Sequence, residues 1–208
     1  MNQEEIKLLV ALTGAGISRP SGIPTYEERP ALRDSLSRDF FDAQPEAFYE
    51  EYWKMVKVMA SARPNSAHLA LAEYDVPIIT QNIDCLHQRA GSKTVAQIHG
   101  YYNEFICERC HESYQLPENR PVPYLCPKCR SVLKPKVVLY GEQLQDWEEA
   151  VSLVLAADTL LVVGTSLQVY PAAYLPQLAE ERGIKVIISN EAADTRVPAF
   201  LAEHLSAK

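Results

Sequence analysis

Six short runs of apolar, largely β-branched residues constrain most strongly what this chain can fold into. They are KLLVALT (7–13), VPIIT (76–80), VAQI (95–98), KVVLY (136–140), TLLVVG (159–164) and KVIIS (185–189). The runs are continuous rather than alternating, which suits strands covered on both faces and hence a parallel sheet. Helical patterns lie at 65–74, 84–90, 146–157 and 172–182. Asn65 is placed to cap the first, Asp84 and Gly91 to cap and stop the second, and Asp146 to begin the third. The expectation is an α/β chain with a Rossmann-like, doubly wound parallel sheet. A length of 208 residues suits one such domain with a smaller lobe.

Small and polar residues follow every run. After the first comes GAGIS, after the second QNID, after the third His99 and Gly100, and after the fourth GEQ. After the fifth comes TSLQVYP and after the sixth Asn190 and Glu191. Carboxyl ends of strands in a doubly wound sheet share one rim, so these groups are expected to converge there as a ligand site. Gly14 and Gly16 turn a strand into a helix, a device that brings backbone N–H groups toward a pyrophosphate. VVGTSL repeats the arrangement and favours a dinucleotide over a lone phosphate. No acidic residue closes the second strand as in an ordinary dehydrogenase, which argues against plain hydride transfer.

Four of the five cysteines form two pairs, Cys107-x-x-Cys110 and Cys126-x-x-Cys129, with fifteen residues between. Each pair can place two thiolates on one tight turn, and two such turns make a tetrahedral zinc site. Four thiolates leave no position for water, so one structural zinc per chain is expected. The polar HESYQLPENRPVP between the pairs fits a zinc ribbon with little core of its own. Cys85 reads as a packed residue. The opening MNQEEIKLLVALTG has acidic residues where a signal peptide is basic, and no apolar run reaches eighteen residues. With this cysteine usage, the expectation is a cytoplasmic protein without a membrane. A net charge of −7 argues against nucleic acid and tolerates a lysine-rich partner.

GAGISRPSGIP, TQNIDCLHQRAG, IHG, the two cysteine pairs, VVLYGE and GTSLQVYPAA together resemble the sirtuins, NAD-dependent protein-lysine deacylases. The resemblance runs from residue 8 to about 191. It implies a single sirtuin-type catalytic domain over 1–208, with a Rossmann-like lobe at about 1–25, 76–104 and 136–208. The small lobe would comprise a helical insertion at about 26–75 and the zinc ribbon at about 105–135.

The same resemblance implies roles. Gly14, Ala15, Gly16, Ser18 and Pro24 would contact NAD, the co-substrate, with Tyr26 as an aromatic lid on the nicotinamide pocket. Gln81, Asn82 and Asp84 would hold its nicotinamide end and ribose, and Gly164, Thr165, Ser166, Asn190 and Glu191 the remainder. His99, with Asn82, would be catalytic: a general base drawing a proton from the ribose hydroxyl, a task that suits imidazole. His68, His87, His111 and His204 are expected to be packing or surface residues. An acylated-lysine protein or peptide would lie as an added strand between Val138, Tyr140, Gly141 and Glu142 on one side and Leu167 and Val169 on the other. In sirtuin chemistry the acyl amide oxygen attacks the ribose carbon as nicotinamide leaves, and O-acyl-ADP-ribose is released.

The chain departs from the family pattern at GIPTYEE, where Glu27 stands in place of a cation and Arg29 is the nearest substitute. After Asn190 only 18 residues follow, enough for one short helix where the family adds a strand and a helix with an adenine contact. Two other functions use the same pocket: ADP-ribosyl transfer or NAD hydrolysis with a different nucleophile, and a non-catalytic NAD or ADP-ribose sensor. Sirtuins that take acidic acyl groups carry a Tyr and an Arg three residues apart. Here Tyr52 and Met55 fall at those positions, so uncharged acyl groups are expected.

Overall fold

A computed structural model describes residues 8–25, 28 and 32–205. Tyr26, Glu27 and Arg29, singled out above, lie outside the described residues. From the amino end, β1 (Leu9–Thr13) runs into a single helical turn, α1 (Ala15–Ser18). The helices α2 (Leu32–Ser35), α3 (Arg38–Ala43), α4 (Pro45–Ser61) and α5 (Ser66–Glu73) follow. Next come β2 (Ile78–Thr80), α6 (Leu86–Ala90), β3 (Val95–Gln97), β4 (Gly100–Ile106), β5 (Ser113–Gln115) and β6 (Lys134–Val137). The chain then forms α7 (Trp147–Ala156), β7 (Thr159–Val163), α8 (Tyr174–Glu181), β8 (Lys185–Ser189) and α9 (Ala193–His204). No helix among the described residues is long and apolar enough to cross a membrane.

Five strands make a parallel sheet in the order β3-β2-β1-β7-β8. Its two faces account for the continuous apolar runs. Val10, Leu12, Leu160 and Val162 pack with Ala150, Val154, Leu175 and Ala179 of α7 and α8. Their neighbours Leu9, Ala11, Leu161 and Val163 pack with Ala67, Leu71, Val197 and Leu201 of α5 and α9. The strand order reverses at the β1–β7 pair, so a crevice opens at their carboxyl ends.

The fourth apolar run does not join this sheet. Its first residues belong to β6, which pairs antiparallel with β4 in a separate three-stranded sheet, order β5-β4-β6. Gly100 diverts the chain: its φ is +75°, and a Cβ there would lie 1.9 Å from the Lys136 carbonyl oxygen. Only a glycine fits that conformation and that approach. The second sheet shares a core with the aromatic face of α4, where Tyr52 and Trp53 meet Phe105 edge-on or tilted. The segment SRDFFDAQPEAFYEEYWKMVKVM is helical, as expected, through α3 and α4.

The caps divide. Asn65 Oδ1 accepts the Ala67 N–H at 3.0 Å, and His68 Nδ1 accepts the Asn65 N–H at 3.4 Å, a reciprocal box at the start of α5. Asp84 caps α6 from one residue further out, accepting the Leu86 N–H at 2.9 Å. Asp146 precedes α7 but makes no side-chain cap; its carboxylate accepts the Gln97 N–H at 3.1 Å and ties α7 to β3. The carboxyl-terminal segment exceeds the short helix expected of it. α9 is 12 residues long and buries Ala193, Val197 and Leu201.

Candidate active site

The crevice at the strand reversal is a cleft of about 1160 Å³. Its walls come from residues 14–16, 81–83, 137–142, 164–166 and 190–193, together with His99. Five of the expected strand ends therefore meet directly, and the 137–142 segment reaches the same space from the antiparallel sheet. A small pocket of about 40 Å³ shares Ala15, Gln81, Asn82 and Ile83 with the cleft and extends to Ser18, Pro24, Met55 and Asp84.

The two glycine turns serve each other. Gly14 N–H donates to Val163 O at 3.0 Å and Gly16 N–H to Gly164 O at 2.8 Å. Those amides, expected to face a pyrophosphate, are consumed in joining β1 to β7 across the switch point. A Cβ on Gly16 would lie 2.6 Å from the Gly164 Cα, and Gly164 itself has φ +62°. Glycine is needed there because two backbones pass in contact.

Ser18 is fully buried and holds the centre of a polar cluster. Its hydroxyl donates to Asp84 Oδ2 at 2.6 Å and accepts from Asn82 Nδ2 at 3.1 Å. Asn82 Nδ2 also donates to Gly14 O at 3.0 Å. Both amide hydrogens are thus spent, leaving Asn82 Oδ1 as an acceptor for a ligand. Burial pushes the Asp84 carboxyl above its ordinary range, opposed by the Ser18 and Leu86 hydrogen bonds. His68 Nε2 lies 3.4 Å from Ser18 Oγ, and its ring stacks obliquely on His87, 4.8 Å away.

His99 stands where β3 has just ended. Its Nδ1 is 2.7 Å from the Gln81 carbonyl oxygen. A carbonyl only accepts, so Nδ1 carries the proton and Nε2 is the basic nitrogen. Burial lowers the His99 pKa below its usual value, partly offset by that carbonyl, and the ring is neutral at pH 7. Gln81 Nε2 donates to Thr165 Oγ1 at 2.9 Å, and Thr165 N–H donates to Asn190 Oδ1 at 3.1 Å. The polar ends of β2, β7 and β8 are thereby linked along the rim.

Several expected residues do something else. Glu142 turns its carboxylate inward: Oε2 accepts the Leu139 N–H at 3.0 Å and the Lys134 ammonium at 2.9 Å. Leu167 packs partly into the core beside α8 rather than lining the cleft, whereas Ser166, Gln168 and Val169 line it. Tyr52 is fully buried, its hydroxyl donating to Tyr102 O at 2.6 Å, so it does not share a pocket wall with Met55. Arg19, which the sequence reading passed over, lines the cleft and pairs with Glu28 at 2.8 Å. Its position directly after GAGIS was the available signal.

The four cysteine sulfurs lie within 4.8 Å of one another. Cys107 and Cys129 are 3.4 Å apart and Cys110 and Cys126 3.6 Å. Zn–S bonds of about 2.3 Å in a tetrahedron place sulfurs about 3.8 Å apart, so the set fits zinc. The two turns are alike: His111 N–H donates to Cys107 O at 2.8 Å, and Arg130 N–H to Cys126 O at 2.9 Å. His111 and Arg130 both have positive φ, 60° and 63°.

A profile described as the Sir2 family matches residues 14–171. An NAD-dependent protein deacetylase of Caldivirga maquilingensis is 42% identical over 197 residues, spanning 87% of this chain and 77% of that protein. Another NAD-dependent protein deacetylase, from Thermotoga maritima, is 42% identical over 204 residues, 89% of this chain and 82% of its own. A solved complex of Sir2 with a p53 peptide and NAD+ matches with a TM-score of 0.89 at 36% identity, covering 96% of this chain and 94% of that one.

Proposed function

The chain belongs to the Sir2 family, and from that premise we propose that it is an NAD-dependent protein-lysine deacetylase releasing nicotinamide and O-acyl-ADP-ribose. The observation that carries this reading is the His99 ring. Its Nδ1 is committed to the Gln81 carbonyl at 2.7 Å, and its Nε2 remains a neutral base on the rim of the cleft. A binding module has no use for such a base.

NAD, when bound, supplies the ribose carbon that is attacked and nicotinamide as the leaving group. The other roles belong to the chain. Asn82 Oδ1, with both amide hydrogens tied back to Gly14 and Ser18, accepts from a hydroxyl or amide at the nicotinamide end. Asp84 lines the small pocket that serves that end, with Ala15, Ser18 and Pro24 around it. His99 Nε2 takes the proton of the ribose hydroxyl, allowing the acyl group to pass to that oxygen. Thr165, Ser166 and Asn190, with Gly164 and Glu191, line the opposite end of the cleft for the remainder of the dinucleotide.

The acyl-lysine peptide pairs along 138–142. Tyr140 N–H donates to Leu36 O and Tyr140 O accepts from Arg38 N–H, so one edge of the segment is occupied. The Val138 carbonyl and the Gly141 main chain make no hydrogen bond among the described residues and line the cleft, and we assign them to the peptide. Zinc is held by Cys107, Cys110, Cys126 and Cys129 and closes the ribbon that leads into β6. We keep the two lobes expected from the sequence, about 1–25, 76–104 and 136–208 against about 26–75 and 105–135, except that α5 goes with the parallel sheet, on which its Ala67 and Leu71 pack. We place the protein in the cytoplasm, where a reducing environment keeps a four-thiolate site competent.

The deciding experiment incubates the protein with NAD and an acetyl-lysine peptide, following nicotinamide and peptide mass. Nicotinamide with a deacetylated peptide is expected. Nicotinamide with an unchanged peptide would point to NAD hydrolysis or ADP-ribosyl transfer, and neither product to a sensor.

A further inference from the structure

We propose that Arg38 is a positioning residue for the peptide-binding edge, coupling the first cysteine turn to the 138–142 segment. The inference rests on the reading that the peptide pairs along that segment. It begins with backbone geometry. Residues 36–38 run beside the segment as a parallel bridge at Ser37 and Tyr140, with Tyr140 N–H on Leu36 O and Arg38 N–H on Tyr140 O, both at 3.2 Å. Arg38 then opens α3, so its side chain starts from a fixed point.

The guanidinium spans three elements. Nη1 and Nη2 reach the two oxygens of Glu108 at 2.6 and 3.1 Å, a forked pair on the residue that follows Cys107. Nε donates to Asp42 at 2.7 Å, one turn along α3. Nη1 also lies 3.4 Å from Glu142 Oε1. Glu142 is therefore a joint: one oxygen faces Arg38, and the other caps the Leu139 N–H and meets Lys134. Lys134 is nearly buried, and its ammonium also donates to Pro135 O at 3.2 Å and Val137 O at 2.9 Å.

The consequence is mechanical. Segment 138–142 must present Val138 O and the Gly141 main chain at a set spacing to pair with an added strand. Its outer edge is held by residues 36–38 and its internal turn by the Glu142 carboxylate, which Arg38 ties to the cysteine turn. A preordered edge binds without the cost of ordering it, so loosening the bracket weakens peptide binding and leaves the dinucleotide end untouched. Lys134 still neutralises Glu142 when Arg38 is removed, so an Arg38 variant keeps its buried charges paired.

The test compares wild-type protein with Arg38→Met and Glu108→Gln by backbone hydrogen exchange, peptide and NAD kinetics, NAD calorimetry and zinc content. In Arg38→Met the 139–142 amides should exchange faster while those of β1 and β7 do not change. The KM for an acetyl-lysine peptide should rise about fivefold or more, as befits loss of a charge-assisted contact. kcat and NAD affinity should stay within about twofold, because no group touching the reaction has moved. Glu108→Gln should shift the same quantities in the same direction and less. Zinc should remain stoichiometric in both, which separates the bracket from metal loss. Unchanged exchange at 139–142 would overturn the proposal, as would a loss shared equally between peptide and NAD. A wild-type chain that turns over no acyl-lysine peptide would overturn the deacetylase reading itself, before any variant is made.

Discussion

Ser18 Oγ lies 2.6 Å from Asp84 Oδ2 and is 3.1 Å from Asn82 Nδ2, so one buried hydroxyl orients both residues where the cleft meets its small pocket. The hydroxyl has no exposed surface, so it acts through those two side chains rather than on a ligand. Removing it leaves an amide hydrogen and a buried carboxylate short of a partner, a loss of about 1–3 kcal/mol. Ser18→Ala should therefore lower the melting temperature and weaken NAD binding together. A thermal melt and a calorimetric titration check the two halves. Wild-type values in both would show that the cluster is orienting nothing.

Zinc should be stoichiometric in purified protein, and Cys126→Ala should lose both metal and stability. The ribbon packs Phe105 and Leu133 into the core it shares with α4, but metal is what ties its two cysteine turns together. Metal analysis and a melt, each with and without chelator, measure this. A folded chain with substoichiometric zinc would contradict it.

Asn82, Asp84 and His99 could be read at strand ends because polar groups that interrupt an apolar run at its carboxyl end have few structural uses. The inward turn of Ser18 could not be read, since a serine one turn after GAG looks the same whether it faces a ligand or Asp84. Lys134 and Arg38 were hidden for a similar reason: charged residues in a ribbon or at a helix start read as a solvated surface. Glu142 was read as a peptide contact, whereas its carboxylate meets Lys134 and the Leu139 N–H. KVVLY was assigned to the wrong sheet because an apolar run reports burial and is silent about the partner strand. β4 went unnoticed because its GYYNEFI alternates buried and half-buried positions with polar residues among them. The glycines of GAG were expected to bring backbone amides toward a pyrophosphate, but the backbone they approach is Gly164.

His99→Ala should cut steady-state turnover to deacetylated peptide by about 10²–10⁴-fold, the typical worth of a general base. NAD binding should survive, since the ring's hydrogen bond is to the Gln81 main chain, and the Gln81 and Asn82 side chains keep their own partners Thr165, Gly14 and Ser18. The pH dependence follows from burial, which lowers the His99 pKa. A base must be unprotonated to work, so a lowered pKa moves the acid limb of kcat/KM to a pH below the ordinary histidine value of about 6.5. An acid limb at or above that value would require another base.

Stability should fall with acid before the carboxylates titrate. His68 and His87 are buried and neutral, His68 with its pKa pushed down to about 4 and His87 well below its usual value. Each is raised to about 6.5 on unfolding, so between roughly pH 6.5 and 4 the unfolded chain binds more protons than the folded one. Stability is then full above pH 6.5 and declines as pH falls through that window. Denaturant midpoints at pH 7.5, 6.5, 5.5 and 4.5 follow the trend, and His87→Gln should flatten it. A midpoint independent of pH across this range would mean the pair is protonated in the fold or exposed.

The acyl preference should favour acetyl over succinyl by about tenfold or more in kcat/KM, since an unpaired carboxylate is costly to bury. Among the described residues lining the cleft and its small pocket, Arg19 is the one fixed cation, and it is already paired with Glu28. The carboxylates of Glu28, Glu191 and Asp84 line the same spaces. A distal carboxylate on the acyl chain therefore meets apolar side chains and like charge. Tyr52 and Met55 suggest the same preference in the sequence, but by a route the fold does not support. Tyr52 spends its hydroxyl on Tyr102 O, and Met55 lines the pocket that holds Asp84. Met55→Arg would thus set a guanidinium beside Asp84, drawing that carboxylate away from Ser18 and the Leu86 N–H. The expected result is loss of nicotinamide release on the acetyl peptide and no matching gain on the succinyl one. Matched peptides assayed with both proteins decide it, and a succinyl preference in the unmodified chain would overturn the charge argument outright.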